Sequence, residues 1–322
     1  MAKPVLLADI GGTNTRLALA DGAALRAGSV RRYRNDGFRD LSAVMTAYLA
    51  ETGSPDLGAA CAALAGPVEG GTGRLTNLDW TIAEADLSAD LGAPVSLIND
   101  LQAQGHALGR LAPDSLRPLM PGDSPVPEAA PRLVIGVGTG FNAASVHQCR
   151  GGRLVTASEC GHISLPTPTE ADRRLADFLT AREGFAEVEG ALSGRGLANI
   201  DAWLAEEAGG PPGRDARDVV AALAEGEARA EAAVGTAVRL LGCVAGDLAL
   251  VHLPLGGVYL IGGMARALAE HADRFGLAEA FAAKGRFAPM MARFTVQLVT
   301  DDYAALTGCA AFLAEDGAQG VG

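Results

Sequence analysis

Leu7-Ala8-Asp9-Ile10-Gly11-Gly12-Thr13-Asn14-Thr15-Arg16-Leu17-Ala18 is the stretch on which the reading of the fold turns. The apolar run Val5–Ile10 stops at Gly11-Gly12, which predicts a buried strand entering a tight turn. Apolar character resumes over 15–20, which predicts a second strand pairing back on the first. Glycine lets backbone N–H groups approach an anion closely and reaches positive φ without strain. Successive N–H groups in such a turn form a concave anion nest, and a threonine hydroxyl adds a donor. Asp9 precedes the turn, where a carboxylate can hold a hydrated Mg²⁺ beside phosphates. A plain tight hairpin is the ordinary alternative.

The pattern recurs twice. A strand is expected over 133–140, ending in Gly136-Val137-Gly138-Thr139-Gly140, and another over Val258–Ile261, ending in Gly262-Gly263. A dinucleotide fingerprint at Gly136-x-Gly138 fails, because Phe141 stands where the third glycine belongs and no strand with an acidic end follows. Between the turns, the patterning predicts strands over 59–65 and 95–98. It predicts helices over 41–49, 101–111, 170–182, 192–205, 215–253 (broken into two) and 303–313. Six prolines within 113–131 exclude a regular helix or a central strand there and mark a boundary. Strands then helices, twice over, suggest two related α/β halves.

Composition narrows the chemistry. The 322 residues suggest two domains or one large one, and 49% apolar content permits a sizeable core. A formal charge of -12 argues against nucleic acid as a partner. The only lysines are Lys3 and Lys284, which excludes a Walker P-loop and the strand lysine of protein kinases. Nothing around Lys284 supports a Schiff-base role. Without lysine, glycine turns are the available means of holding nucleotide phosphates. Cys61, Cys149, Cys160, Cys243 and Cys309 are odd in number and contain no C-x-x-C, so a reducing compartment fits best. The opening residues lack a signal-peptide pattern. Asp247, His252 and Pro254 interrupt the apolar segment 240–263, which argues against a membrane span. A soluble, cytoplasmic protein with no membrane partner is expected.

Three polar groupings stand out. Asn99-Asp100 follows a strand and opens a helix. Asp100 is either the helix cap or a general base that accepts a proton from a substrate hydroxyl as a phosphoryl group arrives in line. Glu159-Cys160-Gly161-His162 reads as a surface loop, as half a metal site lacking a further Cys/His pair, or as a clamp for sugar hydroxyls. Glu187 and Glu189 precede Ala191-Leu192-Ser193-Gly194, and Glu187 is expected to be a first-turn helix carboxylate favoured by the dipole. His106, His147, His252 and His271 have no evident partners and read as ordinary structural or surface residues.

Taken in order, these pieces resemble the bacterial glucokinase family, within the sugar-kinase/actin/heat-shock ATPase superfamily. The resemblance rests on Leu7 through Ala18, Asn99-Asp100, Gly138-Thr139-Gly140 and Glu159-x-Gly161-His162. It continues through Glu189-x-x-Leu192-Ser193-Gly194-x-Gly196-Leu197, Gly262-Gly263, Lys284-Gly285-Arg286-Phe287 and Thr307-Gly308-Cys309-Ala310. Two departures are present: Phe141-Asn142 follow Gly-Thr-Gly where a small residue is usual, and Cys160 stands where the family has glycine.

The resemblance implies two RNase H-like α/β domains with the active site in the cleft between them, closing on the sugar. It implies a small discontinuous domain, 1–110 plus 303–322, and a large domain, 111–302. Asp100 is then the base toward the sugar 6-hydroxyl, and Asn99, Glu159, His162 and Glu189 are sugar ligands together with Asp100. ATP is held by Ala8, Asp9, Ile10, Gly11, Gly12, Thr13 and Asn14, by Gly138, Thr139 and Gly140, and by Gly262 and Gly263. Asp9 holds Mg²⁺ through water. The implied reaction is ATP-dependent conversion of glucose to glucose 6-phosphate at the entry to glycolysis, by a homodimer. Mannose, fructose or an N-acetylhexosamine is the nearest alternative substrate. A non-catalytic sugar sensor or actin-like ATPase is a second class, against which Asp100 with Glu159 and His162 weighs.

Overall fold

Val5–Ile10 is apolar at nearly every position, as a strand covered on both faces must be. In the computed structural model, which describes residues 3–75, 78–127, 129–150 and 152–319, this run is strand β1 (Val5–Ile10). Strand β2 (Asn14–Asp21) folds back antiparallel to it, pairing Ile10 with Thr15. Strands β3 (Ala24–Leu25) and β4 (Arg31–Arg34) both pair with β2. Helix α1 (Leu41–Glu51), capped by the Asp40 carboxylate, leads to β5 (Ala59–Leu64), which runs parallel to β1. Strands β6 (Val68–Glu69), β7 (Thr72–Arg74) and β8 (Thr81–Ala83) form a small separate sheet. Helix α2 (Glu84–Leu91) then feeds β9 (Val95–Asn99), parallel to β5, and α3 (Asp100–Ala107) follows at once.

The second half repeats the scheme. Strand β10 (Leu116–Met120) precedes the hairpin of β11 (Arg132–Val137) and β12 (Phe141–Cys149). After β13 (Gly152–Ala157) come helices α4 (Glu170–Glu183), α5 (Gly194–Glu207), α6 (Ala216–Ala224) and α7 (Ala228–His252). Strand β14 (Val258–Ile261) runs parallel to β11. Helices α8 (Gly263–Ala269), α9 (Leu277–Ala282) and α10 (Ala288–Met291) lead to β15 (Val296–Val299), parallel to β14. Helix α11 (Ala304–Gln319) closes the described chain. The order β12-β11-β14-β15 matches β2-β1-β5-β9, an antiparallel hairpin extended by two parallel strands. The repeat expected from the glycine turns is therefore a repeat of topology.

The first unit runs through Pro113 and takes in Gln148–Ala157 and the chain from Asp301 onward; the second comprises Asp114–His147 and Ser158–Thr300. The expected division, 1–110 plus 303–322 against 111–302, differs chiefly at 148–157. The reason is side-chain chemistry. Arg153 on β13 donates Nη1 to the His106 carbonyl at 2.7 Å and to that of Leu108, and Gln102 on α3 donates to the Val155 carbonyl at 3.1 Å. Arg153 thus takes carbonyls at the end of α3, which stops at Ala107, short of the expected 111. Positions 1–2 and 320–322 of the expected first domain lie outside the described residues.

The proline stretch is more than a connector. It carries β10, which pairs antiparallel with β15, places Pro118 opposite Gln297 and breaks register before Met120. With a neighbour on one side only, its prolines need not donate to a ladder. The helical region 215–253 breaks at residues 225–227, where the Glu227 carboxylate caps α7 by accepting from Arg229 N and Ala230 N.

Two different faces cover the first sheet. On one, Leu6, Ala8, Ile10, Leu17 and Leu19 pack with Leu41, Val44, Met45 and Tyr48. On the other the residues are small. Leu7, Ala18, Ala20, Cys61 and Ala63 pack with Ala305, Leu306, Cys309 and Ala310 of α11. Small side chains let backbones approach, and Gly308 is so close to α3 that a Cβ there would meet the Ala103 carbonyl oxygen at 1.7 Å. In the second unit α7 is long and apolar enough to cross a membrane, but it is the core helix, with Leu240 and Leu241 fully buried alongside Leu133, Ile135 and Leu260.

Candidate active site

Parallel register assembles the first unit's candidate residues. Ile10 of β1 pairs with Leu64 of β5, and Leu64 with Asn99 of β9. The turn after β1 and the Asn99-Asp100 pair therefore emerge at the same end of the sheet, two strand spacings apart, about 10 Å. The carboxyl ends of parallel strands are where open α/β sheets bind ligands.

The turn itself is built rigidly. Gly11 N donates to Asn14 O at 3.0 Å. Asn35, buried and 24 residues beyond Gly11, locks it from outside. Its Nδ2 donates to Gly11 O at 2.8 Å, its Oδ1 accepts from Thr15 Oγ1 at 2.8 Å, and its N–H donates to Thr13 O at 2.9 Å. A cavity of about 410 Å³ beside the turn is lined by Thr13, Asn14, Arg32 and Arg34. Asn35→Ala leaves the Gly11 carbonyl and the Thr15 hydroxyl unpartnered, and should cost about 1–3 kcal/mol of stability. Urea denaturation reads this directly; an unchanged midpoint and slope would show the latch to be idle.

Ala8 and Ile10, expected among nucleotide-binding residues, have side chains wholly buried in the β1 core and lie in register with both β2 and β5. Asp9 at the strand end accepts from Arg16 Nη1 through Oδ2 at 2.9 Å. Burial pushes its carboxyl above the usual range, and Arg16 offsets only part of that.

Asn99, not Asp100, caps α3. Its Oδ1 accepts from Leu101 N at 2.9 Å, and Gln102 Oε1 accepts from Asn99 N at 3.2 Å, completing a capping box. Asn99 Nδ2 donates to Gly66 O at 3.1 Å, so the side chain expected to bind sugar also holds the helix start. Asp100 is the first helical residue, and its Oδ1 accepts from Leu101 N at 2.8 Å. The helix dipole favours negative charge there.

The second unit has a polar grouping of its own. Segment 161–165 runs antiparallel beside 186–189 through Glu189 N to Gly161 O (2.8 Å), Val188 N to Ile163 O (3.0 Å) and Leu165 N to Ala186 O (2.9 Å). This pairing brings Glu159-Cys160-Gly161-His162 against Glu187 and Glu189. Gly161 sits where a Cβ would lie 2.1 Å from the Phe141 carbonyl oxygen, so no other residue fits. Glu189 Oε2 accepts from Phe141 N at 2.9 Å. The turn at Gly138–Gly140 is closed by Gly138 N donating to Gly140 O at 2.9 Å, and Gly194 N at the start of α5 donates to Gly138 O at 2.8 Å. Because Gly136 pairs with Ile261, the Gly262-Gly263 turn emerges beside it.

Both sequence departures acquire a physical account. The Phe141 ring lies in the core, 3% exposed. Asn142 organises the 158–160 loop. Its Oδ1 accepts from Cys160 N (3.2 Å) and Ser158 Oγ (3.1 Å), while its Nδ2 donates to Glu159 Oε2 (3.1 Å). Cys160 is buried, and burial raises its thiol pKa, which keeps the sulfur protonated. Among the described residues no three His, Cys, Asp or Glu side chains are grouped to hold a metal directly. Lys284 is occupied by Asp247 Oδ1 at 2.7 Å and Cys243 O at 2.9 Å.

Glu187 is the clearest correction. It is not in a helix, since α5 begins only at Gly194. Its Oε2 lies 2.8 Å from His162 Nδ1. Asn35, Asn142, Glu187 and Arg195, which contacts Glu187 and Glu189, were all missed as members of the constellation. The antiparallel pairing of 161–165 with 186–189, including the Ser164–Glu187 bridge and invisible before folding, sets Glu187 beside the histidine.

Comparison with known proteins places the chain in a family. The glucokinase family model matches residues 6–316. The chain is 34% identical over 324 residues to a glucokinase of Stenotrophomonas maltophilia (strain K279a), covering 98% of this chain and 96% of that one. It is 33% identical over 321 residues to a glucokinase of Xanthomonas campestris pv. campestris (strain B100), covering 97% and 95%. Among solved structures, a glucokinase from an Antarctic psychrotroph superposes with a TM-score of 0.83 at 31% identity, covering 97% of this chain and 99% of that one. A Balamuthia mandrillaris glucokinase in complex with glucose superposes at 0.79 and 24% identity, covering 97% and 93%, and supports the fold alone.

Proposed function

The chain belongs to the glucokinase family and is a glucose-phosphorylating kinase, and from that premise we propose how its own residues carry the transfer of a phosphoryl group from ATP to the 6-hydroxyl. Asp100 accepts the proton of the 6-hydroxyl as its oxygen attacks in line. Asn99, Glu159, His162 and Glu189 hold the remaining hydroxyls by complementary donors and acceptors. The observation that carries this reading is the strand register that brings the Gly11–Asn14 turn and Asp100 out at one sheet end.

The Gly11–Asn14 turn, Gly138–Gly140 and Gly262-Gly263 hold ATP through backbone N–H groups, and Arg32 adds positive charge to the cavity beside the first turn, where Arg34 is paired with Asp36. Asn35 keeps that turn in shape, so Asn35→Ala also raises the KM for ATP. Asp9 suits a hydrated Mg²⁺, because its carboxylate stands at the end of β1 just before the Gly11-Gly12 turn, with Arg16 holding Oδ2. When bound, that ion neutralises charge on the phosphates.

Cytoplasmic location is supported by the five free cysteines, four of them buried. A homodimer serving glycolysis completes the proposal, and analytical ultracentrifugation tests the oligomeric state. The functional reading is tested by coupled ADP release across glucose, mannose, fructose and N-acetylhexosamines with ATP and Mg²⁺. Glucose should give the highest kcat/KM. ADP release that ignores added sugar, from folded protein, would contradict it.

A further inference from the structure

His162 has little packing to hold it. Its side chain is 55% exposed on a short 3-10 turn, so its two ring nitrogens could present themselves in either order. Glu187 removes that freedom. Its Oε2 lies 2.8 Å from Nδ1, and an ionised carboxylate only accepts, so Nδ1 carries the proton. Nε2, across the ring, is then left to a ligand. Histidines that bind through one nitrogen are commonly oriented by a partner on the other.

Glu187 is itself held. Its backbone forms an antiparallel bridge with Ser164, two residues past the histidine. Its Oε1 lies 3.4 Å from Arg195 Nη2, and Arg195 Nη1 lies 3.0 Å from Glu183 Oε2. The same Nη2 is 3.5 Å from Glu189 Oε1. One guanidinium at the start of α5 therefore ties the acid that orients His162 to Glu189.

We propose that Glu187 is a positioning residue for the sugar: it fixes the tautomer and ring orientation of His162 so that Nε2 meets a substrate hydroxyl, and Arg195 steadies it. This rests on the reading of His162 as a sugar ligand. The charged groups facing the imidazole are Glu187, Glu189 and Glu159, with Arg195 behind Glu187. The Glu187 hydrogen bond is the largest influence on His162 and raises its pKa above the ordinary 6.5; partial burial opposes this and the three carboxylate charges add to it.

The test pairs a titration with kinetics on the full chain. The His162 Cε1–H resonance is assigned by its loss in His162→Gln and followed against pH without substrate. Glu187→Gln keeps an acceptor and removes the charge, so the His162 midpoint should move to lower pH. Glu187→Ala removes both, and should raise the KM for glucose about tenfold, the loss of one well-placed hydrogen bond, with kcat changed by less than about twofold. Glu187→Asp should recover part of the KM. An unmoved midpoint in Glu187→Gln overturns the proposal. So does a wild-type KM in Glu187→Ala while His162→Gln raises it, a result that leaves the reading of His162 standing. A wild-type KM in His162→Gln overturns both.

Discussion

Asp100→Asn lowers kcat by about 10²–10⁴-fold, the usual weight of a general base, and changes the KM for glucose far less. The expectation follows from position. Asp100 is the first residue of α3, at the same sheet end as the Gly11–Asn14 turn. Capping of the helix is done by Asn99, so Asp100 is not needed for that task. The asparagine variant keeps an oxygen to accept from Leu101 N, the bond Asp100 Oδ1 makes at 2.8 Å. The helix start is therefore preserved while the proton acceptor is lost. Initial rates at saturating ATP and glucose check the result. Near-native kcat would move the base to another residue.

Asp201→Ala has the largest expected effect on stability. The Asp201 side chain is fully buried. It accepts from Arg214 N at 2.8 Å, Arg214 Nη2 at 2.7 Å and Arg229 Nε at 3.0 Å, tying α5 to the start of α7. Removing it leaves two guanidiniums without their shared partner. Broken buried pairs cost about 3–5 kcal/mol, and the lower end applies because Arg214 and Arg229 retain some water. The Tm should fall on the order of 10 °C, read by calorimetry. The pH dependence has a definite sign. Burial is the largest single influence and would raise the Asp201 carboxyl, but the Arg214 hydrogen bonds and the Arg214 and Arg229 charges together outweigh it and hold the folded value below the ordinary 3.8. The stabilisation is thus present above the unfolded value and lost as pH falls through the folded one. The gap between wild type and Asp201→Ala should narrow in acid; a gap constant with pH would contradict the ion-pair account.

The strands were legible because they are buried runs with abrupt ends. Val5–Ile10 and Val258–Ile261 occur at the expected bounds, each closed by glycines. The family and the fold class were also legible, since each short motif carries its residues within a few positions. What could not be read was long-range side-chain pairing. His106 has its partner, Glu315, 3.3 Å away in space but in the last helix of the chain. Arg153 draws 148–157 into the first unit by bonds to α3 that leave no pattern in local sequence. Asn35 and Asn142 are single amides whose purpose appears only when the turn or loop they hold has folded. Glu187 followed a valid rule about acids before helices, but α5 begins later, at the Ser193 cap, and the acid turns to His162 instead.

The central claim is that this chain phosphorylates glucose with Asp100 as the base. Its most direct test couples product formation to glucose-6-phosphate dehydrogenase, for the wild type and Asp100→Asn side by side. The account predicts ATP- and glucose-dependent NADPH formation by the wild type, reduced about 10²–10⁴-fold in the variant. Equal rates in both proteins, or ATP consumption by the wild type without glucose 6-phosphate, would contradict it.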